Sequence, residues 1–130
     1  MMEKLSVALQ AAADKKAEDP VALDLRNLAS FTDGFLICNG RNQRHVHAIA
    51  SSIEEAMKKR KFRPRHIEGF RHGEWVLLDF FDLVVHVFTP ERREFLQLER
   101  LWSDAPRLES GKESVESEKI DPVDNLGNPN

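Results

Sequence analysis

The chain has 130 residues, with 19 Lys and Arg against 22 Asp and Glu and a formal charge of -3, a length that fits one domain with room for a tail. Apolar residues make up 41% and charged residues 32%, which excludes a broadly disordered chain. The single cysteine, Cys38, excludes an intramolecular disulfide and a multi-cysteine metal cluster, and no apolar run approaches the roughly 18 residues of a membrane span.

The charge is unevenly placed. Residues 103–130 hold 7 acids and 3 bases, net -4, which leaves 15 acids and 16 bases, net +1, in residues 1–102. A nearly neutral body argues against broad nucleic-acid binding. Near the amino terminus, Glu3, Lys4, Asp14, Lys15 and Lys16 interrupt any apolar signal core, and the acids do not suit an organelle transit peptide. A reducing cytoplasm is the expected location.

Glu3 to Glu18 is Ala-rich, and Leu5, Ala8, Leu9, Ala12 and Ala13 recur at helical spacing. Asp19-Pro20 is expected to stop this helix, because the residue before proline is pushed out of the α region. Val21 to Leu25 reads as a short strand. Phe35 to Cys38 is a continuous apolar run, which suits a strand buried on both faces. The connection between these two strands is too short for a parallel crossover, so they pair antiparallel or sit apart in the sheet. Asn42 is expected to cap a helix whose apolar face is Val46, Ile49, Ala50, Ile53, Ala56 and Met57.

Pro64 to Gly69 reads as a strand with His66 and Glu68 on one face. Glu74 to Phe80 and Leu83 to Thr89 read as an antiparallel hairpin. Thr89, Pro90 and Glu91 form a helix start, and Phe95, Leu98, Leu101 and Trp102 give that helix an apolar face. From Arg107 onward the composition predicts disorder. The resulting fold class is α/β (α+β), a mixed sheet of about five strands with helices packed on it. The folded domain is expected over residues 1–102 and an acidic, disordered tail over residues 103–130.

Each candidate for chemistry has a bland alternative. Asp79 and Asp82 flank the hairpin turn, where paired acids can bind magnesium, or where they serve as ordinary turn residues. His45 and His47 stand two apart on a helix, about 200° around its axis, and cannot chelate one metal. His86 lies among valines and reads as a core or interface histidine. Cys38 reads as a small buried hydrophobe. The run Lys58, Lys59, Arg60, Lys61, Arg63 and Arg65 suits either RNA phosphates or a solvated helix end. The hairpin is apolar at almost every position, with Trp75, Phe80, Phe81 and Phe88 close together. Either helices cover both of its faces, or one face is a docking patch anchored by aromatic rings.

These residues carry a resemblance. Asp24-Leu25, Ser30 to Asp33, Cys38 to Gly40, Arg44 to Val46, Glu68-Gly69, Trp75 to Asp79, Asp82 to Phe88, and Leu98 to Trp102 with Arg92 and Phe95 occur in one order. Over Leu5 to Trp102 the chain resembles the ribosomal silencing factor family, also called RsfS, Iojap or YbeB. The resemblance implies a nucleotidyltransferase-like fold without the catalytic acids, no enzymatic activity and no cofactor. It implies binding to the large ribosomal subunit through ribosomal protein uL14, with a steric block to joining of the small subunit when nutrients are short. The implied contact residues are Trp75, Asp79, Phe80, Phe88, Leu96, Glu99 and Arg100, with nearby rRNA contacts through Lys58 to Arg65 and a homodimer when free. The chain departs from the family pattern at Phe81, where glycine is usual, at Gly34, where a larger residue is common, and at Leu96, where tyrosine is common. The rival readings are a small metal-dependent nucleotidyltransferase built on Asp79 and Asp82, and a general RNA-binding module built on Lys58 to Arg65.

Overall fold

The computed structural model describes residues 1–108. Helix α1 spans Met2–Asp14 and strand β1 spans Glu18–Asp24. They are followed by β2 (Gly34–Asn39), α2 (Gln43–Lys59), β3 (His66–Glu68), β4 (Trp75–Asp79) and β5 (Leu83–Phe88). Two short helices, α3 (Pro90–Leu96) and α4 (Leu98–Leu101), precede β6 (Arg107–Leu108). The strands form one six-stranded mixed sheet in the order β3-β4-β5-β2-β1-β6. β2 and β5 run parallel at its centre, and the other neighbours are antiparallel.

Every residue of β2 and every residue of β5 is buried. Side chains alternate between the two faces of a strand. On one face Leu36, Cys38, Val85 and Val87 pack with Val76, Leu78 and Phe80 beneath α1 and α2. The helices contribute Leu5, Ala8 and Ala12, and Val46, Ile49, Ile53 and Met57. The amphipathic spacing of α2 is thus realised as expected. Its cap is realised too, since Asn42 Oδ1 accepts the His45 N–H at 2.9 Å.

The second face carries Leu23, Phe35, Ile37, Val84, His86 and Phe88. Here Leu96, Leu98 and Trp102 supply the partial cover. The polar staple is Arg93. Its guanidinium donates to Asn39 Oδ1 at 2.8 Å and to Glu99 Oε2 at 2.6 Å, so α3 and α4 are tied to the end of β2.

Four expectations are corrected. The first helix stops at Asp14, ahead of Asp19-Pro20, because Lys16 takes a left-handed backbone (φ 59°) and the Ala17 N–H folds back onto the Ala12 carbonyl. This frees Glu18 to begin β1 opposite Asn39. The helix expected to run continuously to Trp102 is broken at Gln97, which is left-handed at φ 50°. The turn of α4 therefore points elsewhere than the turn of α3, and Phe95 and Leu101 are exposed rather than facing a core. Arg107 and Leu108 are not disordered: they form β6 against Leu23 and Ala22, and Leu108 is buried. The sheet thus extends past the expected boundary at Trp102 and has one more strand than expected. The remainder of the acidic tail lies outside the described residues.

Cys38 is fully buried in the helix-covered layer, and burial pushes its thiol pKa up to about 12. Only the thiolate attacks disulfide reagents. In the native protein at about pH 8, Cys38 should therefore label orders of magnitude more slowly than in denaturant. Equal rates in a spectrophotometric thiol assay would contradict this packing.

Candidate partner-binding site

The cover on the second face is incomplete. The segment from α3 to Trp102 lies over β5, β2 and β1, while among the described residues β4 and the edge strand β3 have no helix above them on this face. Trp75, Leu77 and Asp79 of β4 alternate with Val76, Leu78 and Phe80, which point into the helix-covered core. Trp75 is 37% exposed and Leu77 half-buried. They form the floor of an open apolar strip.

Trp75 is held firmly. Its ring stacks on Phe88, the cross-strand partner, with centroids 5.5 Å apart. Its indole N–H donates to His86 Nδ1 at 3.1 Å. The loop before it approaches so closely that a Cβ on Gly69, at φ 76°, would lie 1.9 Å from the Trp75 carbonyl oxygen. A second tie comes from His47, whose Nε2 contacts the Phe70 carbonyl. Next to Trp75, Glu74 pairs with Arg92 at 2.7 Å, and Arg41, Gln43, Glu74, Arg92 and Phe95 line an open cleft between α2 and α3.

His86 explains part of this rigidity. Because Nδ1 accepts from Trp75, the ring proton belongs on Nε2, and that atom has no hydrogen-bond partner among the described residues. Burial pulls the His86 pKa down to about 4, so the ring is neutral at physiological pH. A neutral imidazole keeps its acceptor nitrogen available for the indole. Phe35 closes against the same ring with centroids 4.5 Å apart.

The residues expected to make contacts are divided by the structure. Phe80 and Phe88 are inside the protein, 1% and 0% exposed, and on opposite faces of the sheet. This corrects their assignment as surface anchors: Phe88 is the support beneath Trp75, and Phe80 belongs to the core under the helices. Leu96 is half-buried against the second-face core. Glu99 is committed to Arg93; burial opposes its charge, but the Arg93 hydrogen bonds outweigh it and hold the carboxyl below its usual range. Arg100 is exposed. Asp79 lies at the far end of β4, paired with Arg65 at 3.1 Å and accepting the Phe81 N–H at 2.9 Å.

Phe95 at 78% exposure, Leu101 at 73% and Phe31 at 52% are among the large apolar groups at the surface that sequence patterning does not place there. Phe31 sits edge-on to Trp102 and tilted against Phe35, both at 6.1 Å. The exposure of Phe95 and Leu101 is visible only once the break at Gln97 is known, because an unbroken helix would turn both inward. Asp79 and Asp82 do not converge on a common point. Asp82 is engaged by Lys4 at 2.7 Å and by the Met1 amino nitrogen at 2.9 Å. Among the described residues no group of three or more His, Cys, Asp or Glu is placed to share a metal ion, and no helix is long and apolar enough to cross a membrane.

Comparison with known proteins adds a second kind of finding. The family model described as "Ribosomal silencing factor during starvation" matches residues 1–127. The ribosomal silencing factor RsfS of Bacillus subtilis is 42% identical over 102 residues, covering 78% of this chain and 86% of that protein. RsfS of Halalkalibacterium halodurans is 40% identical over 107 residues, covering 82% and 92%. A crystal structure of a Chromobacterium violaceum protein superposes with a TM-score of 0.76 at 34% identity, covering 79% of this chain and 87% of that one.

The buried histidine gives this face its own test. The unfolded chain takes up a proton near pH 6.5, whereas the folded one resists until about pH 4. Stability should therefore be lost as pH falls through this window, by about 2.5 kcal/mol between pH 7 and about pH 4.5 from this residue. In His86→Phe the loss over the same interval should shrink by about that amount in denaturant titrations. An unchanged loss would mean that His86 is not the neutral acceptor described.

Proposed function

The chain belongs to the ribosomal silencing factor family, and from that premise we propose that it binds the large ribosomal subunit through ribosomal protein uL14 and blocks association with the small subunit. The observation that carries the docking site is the uncovered half of the second face. A rigid, partly exposed Trp75 stands there beside Leu77, with Phe95 exposed on α3. A Trp held in a fixed rotamer buries a large area on binding at little entropic cost. Leu96, Glu99 and Arg100 extend this surface along α3 and α4, and Asp79 marks its far end. The same apolar strip could pair with itself, which supports a homodimer in the free protein.

The mechanism is obstruction. A folded body of about 100 residues has a radius of gyration near 13 Å, which prevents close docking of a second subunit at the site it occupies. No bond is made or broken and no cofactor takes part. The outcome is repression of translation when nutrients are short, in the cytoplasm of a bacterium. The relatives are named for ribosome silencing rather than for catalysis, and the turn acids are already committed to Lys4 and Arg65. Both facts favour this reading over a magnesium-dependent nucleotidyltransferase.

The test is a subunit-association assay with purified subunits. Trp75→Ala should weaken binding to the large subunit by about 2 kcal/mol or more, roughly 30-fold, as expected for a central aromatic anchor. Adding Phe95→Ala should weaken it further, with the fold retained by circular dichroism. Full inhibition of association by a folded double variant would reject the docking face.

A further inference from the structure

The turn joining β4 to β5 is built at odds with its sequence. Phe81 is left-handed at φ 77°, a conformation that is costly for a bulky residue and free for glycine. The Asp82 N–H closes back onto the Phe80 carbonyl at 3.1 Å. The Phe81 ring is 55% exposed and lies outside both core clusters. The conformation is imposed from outside. Thr32 Oγ1 donates to the Phe81 carbonyl at 2.9 Å, the Asp79 carboxylate accepts the Phe81 N–H, and Lys4 Nζ donates to the Phe80 carbonyl at 2.9 Å. Strain that is held so firmly while presenting an exposed ring points toward a binding role.

The neighbourhood says what would be bound. The Arg65 guanidinium lies 4.4 Å from the Phe81 ring centroid and is fixed there by Asp79. Arg65 continues the run that begins at Lys58. Arg60 is paired with Glu3, but Lys58, Lys59, Lys61 and Arg63 are exposed and make no ion pair among the described residues. A planar ring with a guanidinium against it, next to unneutralised cations, matches the two halves of a nucleotide: a base to stack and a phosphate to pair. An acidic peptide would use the cations but would leave the strained ring unexplained.

We propose that Phe81 and Arg65, with Lys61 and Arg63 close by in sequence, form a contact site for an unpaired RNA nucleotide at the end of the hairpin opposite Trp75. Trp75 and the turn lie at opposite ends of the hairpin, about 13 Å apart along β4 at roughly 3.3 Å per residue. Trp75 and Phe81 are therefore far enough apart to engage different partners, with Asp79 between them. This inference rests on the ribosomal reading only for the source of the RNA.

The experiment uses the full chain and a fluorescein-labelled single-stranded uridine 12-mer at low salt, followed by anisotropy. Phe81→Gly relaxes the turn and keeps every cation, so it is expected to fold. It should weaken binding roughly 5- to 150-fold, the range for loss of one stacked base. Lys61→Glu with Arg63→Glu should weaken binding and flatten its salt dependence. Binding of purified uL14 should be unchanged by Phe81→Gly and weakened roughly 30-fold by Trp75→Ala, so failure of one site is distinguishable from failure of the other. Three results would overturn the proposal: no measurable affinity for the 12-mer, equal affinity for it in Phe81→Gly, or equal affinity for a duplex RNA. Tighter binding of a polyglutamate peptide, insensitive to Phe81, would assign the cations to an acidic polypeptide instead and likewise overturn it.

Discussion

Two adjacent central strands, β2 and β5, are apolar on both sides and run parallel. Such a pair is stable only if both faces of the sheet are covered. Helices α1 and α2 meet this demand completely on one face. On the other, the described residues after β5 supply only the short helices α3 and α4, which are separated by a break at Gln97. They cover the central strands and stop short of β4. Among the described residues, the exposed apolar strip is thus a direct result of how far α3 and α4 reach across the sheet. The same short reach creates both the incomplete core and the candidate docking surface.

The polar groups around this strip are arranged to hold it still. Arg93 links Asn39 to Glu99 and thereby anchors the broken helix. Asn39 also donates to Glu18 at 3.1 Å, which extends the linkage to β1. His86, kept neutral by burial, fixes the indole of Trp75 from below. At the other end of the hairpin a different group of contacts fixes Phe81. One hairpin therefore presents a preorganised ring at each end, and binding to either need not order a loose side chain.

Much of the architecture was legible in the residues. The periodicity of α2, its Asn42 cap, the double-sided burial of Phe35 to Cys38 and the antiparallel hairpin all follow from local patterns that the tertiary structure respects. Three things were not legible. The left-handed residues Lys16 and Gln97 are not glycine or asparagine, so nothing in their identity signalled a break, and Phe81 stood out only against the glycine usual in the family. β6 is too short and too polar in its surroundings to be read as a strand without its partner β1. The burial of Phe80 and Phe88 depends on strand parity and on which face each helix covers. Clustering in sequence placed these rings together, whereas the pleat sends them to opposite sides.

The central claim is that the uncovered half of the second face, and not the helix-covered side, meets the ribosome. A photoreactive phenylalanine analogue placed at Phe95 tests this most directly, against a control at Gln10, which is exposed on α1. After irradiation with purified large subunits, the probe at position 95 should cross-link to uL14 and the one at position 10 should not. Cross-linking from position 10 alone, or from position 95 to a protein that is not adjacent to uL14, would contradict the account.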